Sequence, residues 1–345
     1  MHKMTNLEYS FIIKELTPLL IGKHLRRIRK LDEGIYRFKI GEHEVLCQSG
    51  VRIHITRRIE ASEQIDKFAD KAGKELDNAR LLGIKQINSD RIVSFDFDKG
   101  SLIFEMFGEG NAILVHDGKI ICAQRYEEWS DRKIKVGEEY KPPKPSVAEF
   151  SGIKELVQSE KYVIVLLMKL PFGKEYCLEA LMRAGIEEKT PGNKLTAQQV
   201  TKLEKEIKSI VADAKPTLFY DKKTSTGVSK INDFSLAKLS IYRALEAREV
   251  QTLSEAADEY YSSYEKPNPQ REKVLKRIEK QEERKKELVE EEKSYKEKGD
   301  FIYSHYQEVE AALNLAKEGK FEELEKKKKA KVDKKEKSIE LEIGE

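Results

Sequence analysis

Residues 86–125 read Gln86-Ile87-Asn88-Ser89-Asp90-Arg91-Ile92-Val93-Ser94-Phe95-Asp96-Phe97-Asp98-Lys99-Gly100-Ser101-Leu102-Ile103-Phe104-Glu105-Met106-Phe107-Gly108-Glu109-Gly110-Asn111-Ala112-Ile113-Leu114-Val115-His116-Asp117-Gly118-Lys119-Ile120-Ile121-Cys122-Ala123-Gln124-Arg125. Successive side chains of an extended backbone point to opposite faces, so Val93, Phe95 and Phe97 share one face, as do Leu102, Phe104 and Met106. With Lys99-Gly100 between them as a turn, the pattern predicts a hairpin with one buried face. A third strand, Asn111 to Val115, and a fourth, Lys119 to Ala123, follow across Asp117-Gly118. The glycines of Gly108-Glu109-Gly110-Asn111 are not a dinucleotide fingerprint, because a third glycine is missing and strands follow instead of a helix. Gly108, Gly110 and Asn111 read as a structural turn that needs a positive backbone dihedral.

Upstream, Thr5 and Glu8 have capping-box spacing, and Ile12, Ile13, Leu16, Leu19 and Leu20 give the helix that follows one apolar face. Short strands are predicted at Leu25 to Arg29, Gly34 to Ile40, Glu44 to Gln48 and Val51 to Ile55. A helix is predicted from Ser62, with Ile65, Phe68, Ala72, Leu76 and Ala79 at helical spacing. Helix inserted between groups of strands defines an α+β class.

Downstream, Pro142-Pro143-Lys144-Pro145 is a stiff boundary. Tyr162 to Lys169, a tight Leu170-Pro171-Phe172-Gly173 connection and Lys174 to Ala184, ended by Gly185, form a helix-hairpin-helix candidate. Thr196 and Gln199 open a further helix with Val200, Leu203, Ile207 and Ile210 as its stripe. Phe219-Tyr220 and Leu239 to Tyr242 read as strands returning to the first domain. From Pro269 a long charged helix carries Val274, Ile278, Leu288 and Tyr295 in one seam; Gly299-Asp300 interrupts it, and Ile302, Tyr306, Val309, Leu313 and Ala316 form a second stripe. The expected domains are 1–145, β-rich; 146–215, helix-hairpin-helix; 216–265, a returning β/α segment; and 266–345, coiled coil.

Charged residues make up 37% of the chain, yet 65 Lys and Arg against 62 Asp and Glu leave a net charge of +3, so cationic surface must be sought locally. One such cluster is Lys23, Arg26, Arg27, Arg29 and Lys30. Cys47, Cys122 and Cys177 lie far apart, and His2, His24, His43, His54, His116 and His305 show no metal spacing; no metal, cofactor, disulfide framework or nucleophile motif is expected. No apolar run approaches the roughly 20 residues of a membrane span and no signal peptide is read, so the expectation is a cytoplasmic protein.

Four blocks, in order, resemble the N-terminal half of the NFACT family: Asp90-Arg91-Ile92-Val93; Glu105-Met106-Phe107-Gly108-Glu109-Gly110-Asn111; Phe172-Gly173-Lys174-Glu175-Tyr176 with Arg183-Ala184-Gly185-Ile186; and Leu253 to Ser262. The resemblance implies an N-terminal β-rich domain similar to that of formamidopyrimidine-DNA glycosylases, a helix-hairpin-helix domain and the start of a coiled coil. It further implies a ribosome-associated quality-control factor that binds large subunits carrying peptidyl-tRNA. Such a factor holds a transfer RNA, alanyl-tRNA in the prokaryotic proteins, and so promotes template-independent tailing of the stalled chain. A ubiquitin ligase or other degradation factor is a further implied partner. No catalytic residue is implied, because the peptidyl transfer is the ribosome's. By the same resemblance Asp90 and Arg91 engage the transfer RNA, and a guanidinium held beside a carboxylate suits phosphate or ribose.

Glu8 has two readings, the capping box and the RNA-binding surface, where the family usually has aspartate. Gly173 and Lys174, at the start of a helix whose first amides lack internal partners, could hold RNA phosphate. The family's Leu-Arg-Lys segment is replaced by Ala72-Gly73-Lys74, which removes an arginine. The family's coiled coil is followed by a basic C-terminal domain that is not read here, so the expectation is an N-terminal piece. Two rival readings are a glycosylase or lyase, opposed by the Met1-His2-Lys3 start in place of a nucleophilic proline, and an extracellular-matrix adhesin, opposed by the lack of an export signal.

Overall fold

A computed structural model describes residues 1–58, 64–145, 152–221, 230–264, 269–328, 330–333 and 338–341. The chain divides into two units, Met1–Glu265 and Lys266–Glu345, and its class is α+β.

In the first unit, α1 (Asn6–Leu20) opens at the predicted capping box: Thr5 Oγ1 accepts the Glu8 amide at 3.3 Å and Glu8 Oε2 accepts the Thr5 amide at 2.7 Å. The strands β1 (Leu25–Asp32), β2 (Ile35–Ile40), β3 (His43–Gln48) and β4 (Arg52–Thr56) form an antiparallel meander. Next comes α2 (Lys67–Glu75), which begins later than the pattern predicted. Its cap is Asp66, whose carboxylate accepts the Ala69 amide and is held by Lys30, while Ile65 stands fully in solvent and Ser62 lies outside the described residues.

A second meander has five strands, not the four read: β5 (Leu81–Gln86), β6 (Ile92–Phe97), β7 (Gly100–Glu105), β8 (Asn111–His116) and β9 (Lys119–Ala123). A register shift between Leu81 and Gly83 breaks the alternation of β5, which hid it in the sequence. Val93, Phe95, Phe97, Leu102, Phe104 and Met106 do share a face, and they join one core with Tyr36, Phe38 and Cys47 of the first meander and with Ile12 and Leu16 of α1. The expected single buried face is corrected, however. Ile92, Ile103, Ile113 and Ile120 on the opposite face are buried against Ile134, with Tyr140 packed alongside. That cover is carried by β10 (Glu127–Glu128) and β11 (Lys133–Ile134) and is held by Arg132 and the Tyr140 hydroxyl, both donating to buried Glu105.

The two meanders meet at a glycine seam. A methyl group at Gly110 would lie 2.1 Å from the Gly50 amide nitrogen, and one at Gly50 would lie 2.8 Å from the Gly108 carbonyl oxygen.

The helical part comprises α3 (Ile153–Leu156), α4 (Val163–Leu167), α5 (Lys174–Ala184) and α6 (Ala197–Ala212). Here α4 is shorter than the helix predicted, α5 ends on left-handed Gly185, and Thr196 and Gln199 form their capping box. The returning segment is β12 (Thr217–Tyr220), β13 (Ile231–Ser235), β14 (Glu246–Glu249) and α7 (Leu253–Ser262), with strand order β13-β12-β14. Leu239 to Tyr242 is not a strand. Buried Glu179 of α5 accepts both the Ser240 amide at 2.7 Å and its hydroxyl at 3.1 Å, which ties the segment into a 3-10 turn. Ile153, Val163, Leu203, Leu218 and Leu253 all enter the core shared by the two meanders.

The second unit begins with α8 (Pro269–Ser304), which runs through Gly299-Asp300 without the expected break. One interior glycine costs about 1 kcal/mol against alanine, too little to stop a helix rich in Glu and Lys. The chain turns at His305 into α9 (Tyr306–Lys317), α10 (Phe321–Lys328) and a hairpin of β15 (Ala330–Asp333) and β16 (Ser338–Leu341). Of the two expected stripes, Leu288, Tyr295, Ile302, Tyr306 and Leu313 are exposed and Val309 and Ala316 are half-buried; the buried side chains here are Ala312 and Leu324, which belong to neither stripe. The side chains of Val274 and Ile278 lie outside the described residues.

Candidate functional site

The connection from β5 to β6 is a tight turn with Asn88 at φ 52° and Ser89 at φ 51°, closed by the Asp90 amide donating to the Ile87 carbonyl at 3.0 Å. Positive dihedrals at both central residues are those of a type I′ hairpin turn. The first residue of α1 is clamped onto it. Asn6 Nδ2 donates to the Ser89 carbonyl at 3.0 Å and to Asp90 Oδ1 at 3.4 Å, while Gln86 Nε2 donates to the carbonyls of Asn6 and Asp90 at 3.0 and 2.8 Å.

Asp90 is therefore buried, 5% exposed, and its Oδ1 also accepts the backbone amide of Arg91 at 2.8 Å. Here the structure departs from the expected side-chain pair: the carboxylate shapes the turn rather than gripping the guanidinium. The Arg91 backbone is fixed by its carbonyl accepting the Met106 amide at 2.7 Å, and its side chain is half-buried. Among the described residues no hydrogen bond or ion pair engages the Arg91 guanidinium. Tyr9 lies within its electrostatic reach. Burial raises the phenol's pKa well above its ordinary value, and the Arg91 cation pulls it the other way.

The residue before Asn6 reaches a second predicted element. Gly173, at φ 99°, precedes α5, and a methyl group there would lie 2.6 Å from Thr5 Cγ2. Lys174 is exposed beside this contact, and among the described residues no side chain caps the helix start. Since Glu175 already sits in the positive first turn of α5, Lys174 supplies the cation there. Consecutive residues Thr5 and Asn6 thus bring the Asp90-Arg91 turn and the Gly173-Lys174 helix start to one end of α1.

Glu8 lies beneath this junction, and its expected place on an RNA-contacting surface is corrected. The side chain is wholly buried; Oε1 accepts the Tyr176 hydroxyl at 2.7 Å, and Oε2 lies 3.0 Å from His2 Nε2. His2 Nδ1 lies 2.9 Å from Asp233 Oδ1, so the imidazole bridges two carboxylates. Burial alone would lower the His2 pKa, but Glu8 and Asp233 overcome it and raise it to about 10; burial likewise opposes ionisation of the two acids, and His2 holds both below the usual carboxylate range. The group is an acid–imidazolium–acid network that braces the start of α1. The sequence did not disclose these roles of His2 and Asp233, because His2 precedes the helix and so has no periodic relation to Glu8, and Asp233 lies far along the chain.

Gly108 and Gly110 both have left-handed dihedrals. Asn111 is buried; its side-chain amide donates to the Arg125 carbonyl at 2.9 Å and its Oδ1 accepts the Arg125 amide at 3.1 Å. Among the described residues there is no His, Cys, Asp or Glu cluster able to hold a metal, and no helix is long and apolar enough to cross a membrane.

The sequence model described as NFACT N-terminal and middle domains matches residues 9–342, and the chain belongs to that family. Among relatives, it is 28% identical to the archaeal Rqc2 homolog aRqcH of Methanocaldococcus jannaschii, over 92% of this chain and 52% of that protein. It is 26% identical to the human ribosome quality control complex subunit NEMF, over 71% of this chain and 24% of that protein. The chain thus spans about half the length of the archaeal relative and about a quarter of the human one. Among solved structures, the N-terminal part of the fibronectin/fibrinogen-binding protein of Streptococcus suis superposes with a TM-score of 0.59 at 19% identity, covering 75% of this chain and 99% of that one. That likeness concerns the fold alone.

Proposed function

We propose that this chain is the RNA-gripping part of a ribosome quality-control factor. It binds large ribosomal subunits that carry peptidyl-tRNA and holds a second transfer RNA, alanyl-tRNA, so that the stalled chain is extended without a template. The bond-forming chemistry is the ribosome's, and the chain contributes position. The names of the relatives support the ribosomal setting. The observation that carries the RNA reading is the convergence at Thr5-Asn6: a half-exposed guanidinium on a rigid turn beside a helix start that bears Lys174. A planar cation and a set of backbone amides both suit phosphate, and neither reads base identity.

Arg91→Ala is expected to weaken transfer RNA binding about tenfold in a filter or anisotropy titration and to reduce the salt slope of log K by about 1, with Lys174→Ala acting in the same direction. Asp90→Asn should reduce binding by loosening the turn rather than by removing a contact. Unchanged affinity and slope in Arg91→Ala would remove this site from the interface.

A further inference from the structure

The site at Thr5-Asn6 leaves the other end of α1 unused. There the C-terminal half of α1, the end of β4 and the start of α7 line a recess of about 890 Å³, within the range of roughly 300–1,000 Å³ typical of ligand sites. Part of its wall is apolar, made by Pro18 and Leu19 of α1 with Ile55 of β4. Leu19 is 42% exposed.

Carboxylates line the recess as well, and they differ in what they hold. Asp258 accepts the Thr56 hydroxyl at 2.7 Å and the Arg57 amide at 3.2 Å, and Glu42 pairs with Lys23 at 3.2 Å. Glu15 and Glu255 are placed by backbone alone. The two oxygens of Glu15 accept the Leu253 and Ser254 amides at 2.6 and 3.0 Å, and one oxygen of Glu255 accepts the Gln251 amide at 3.2 Å. Among the described residues neither acid has an ion pair. Both therefore keep a negative charge and spare acceptor capacity at the start of α7. Between them in sequence stands Ser254, which also lines the recess. It is 6% exposed, and its hydroxyl has no hydrogen-bond partner among the described residues. A buried hydroxyl left in this state is destabilising and calls for a partner from outside the chain.

Two unpaired acids, an orphan hydroxyl and an apolar wall together select a cation on an apolar stem. A guanidinium has five N–H donors and no acceptor, enough to serve both carboxylates and the hydroxyl, and its methylene stem covers apolar surface. A bare metal ion would leave Leu19 and Ile55 uncovered, and a phosphate would be repelled. The recess is larger than one side chain needs, so neighbouring residues of the partner enter with it.

We infer that this recess docks an extended basic polypeptide segment, an arginine seating its head between Glu15, Glu255 and Ser254 while its stem and an adjoining apolar residue lie on Leu19 and Ile55. It goes beyond the proposed function and does not depend on it, because the ligand is a protein segment and the recess lies at the opposite end of α1 from Arg91.

The test is an anisotropy titration of the full chain with a labelled peptide of alternating arginine and leucine, beside the same peptide carrying neutral citrulline for arginine. Wild type is compared with Glu255→Gln, Leu19→Ser, Arg91→Ala and, as a charge control, Glu290→Gln, an exposed acid of α8. Glutamine at 255 can still accept the Gln251 amide and Leu19 stands in solvent, so thermal midpoints should match wild type. Glu255→Gln is expected to lose about tenfold in affinity and Leu19→Ser about threefold. The citrulline peptide should bind no better than Glu255→Gln binds the arginine one, with Glu290→Gln and Arg91→Ala unchanged. If Glu255→Gln and Leu19→Ser both bind as wild type does, or if wild type does not bind the peptide, the inference is overturned whatever the transfer RNA titrations give. Spermine that binds as tightly as the peptide and is lost in Glu255→Gln would overturn it in favour of a polyamine.

Discussion

His2 bridges two acids, Glu8 wholly buried and Asp233 partly so, and is the cation between them. Removing one partner of a buried ionic network leaves its charges stranded, so His2→Ala is expected to lower the unfolding free energy by about 3–5 kcal/mol in urea denaturation. The pH dependence has a definite sign. The His2 pKa is raised to about 10 from an ordinary 6.5, so its stabilisation is fully present below about pH 6.5, shrinks as pH rises and is lost through about 10. Glu8 and Asp233 are shifted the other way, from ordinary values of 4.5 and 3.8, so their stabilisation is present above those values and is lost as pH falls through their depressed ones. The gap between wild type and His2→Ala should therefore be widest between about pH 4.5 and 6.5 and narrower at pH 10. A gap that does not vary with pH would show that the imidazole is uncharged. At this scale the sequence was half legible: the capping box disclosed Glu8 as a local partner of Thr5, but its ionic partner came from a residue with no patterned neighbour and from a strand more than two hundred positions away.

Among the elements, those with regular periods were readable and those shaped by a bulge or a distant carboxylate were not. The faces of β6 and β7 followed directly from alternation. The shifted register of β5 and the four exposed residues of β14 gave no such signal. Leu239 to Tyr242 has the composition of a strand, yet Glu179 bends it, an override of propensity by a tertiary hydrogen bond. The same local reasoning yields a prediction for α2. Gly73 lies within this helix with open space where a side chain would go, so Gly73→Ala should stabilise by about 0.5–1 kcal/mol, visible as a higher thermal midpoint. A destabilised variant would reveal a neighbour that the fold does not place there.

Over the whole molecule, the site at the end of α1 and the buried network both belong to the unit Met1–Glu265, whereas relatives extend well beyond the residues matched here. On the proposed function, this chain is expected to bind labelled transfer RNA in a filter titration, and absence of binding would remove that reading. The seam of Gly50 and Gly110 bears on how such an RNA would be chosen. Where two backbones approach too closely to admit a methyl group, neither meander can slide along the other, and the Arg91 turn is carried on a rigid anvil. On the proposed function, an RNA pressed against so unyielding a surface must conform to it, so the choice among RNAs is made by their folded shape and not by their letters.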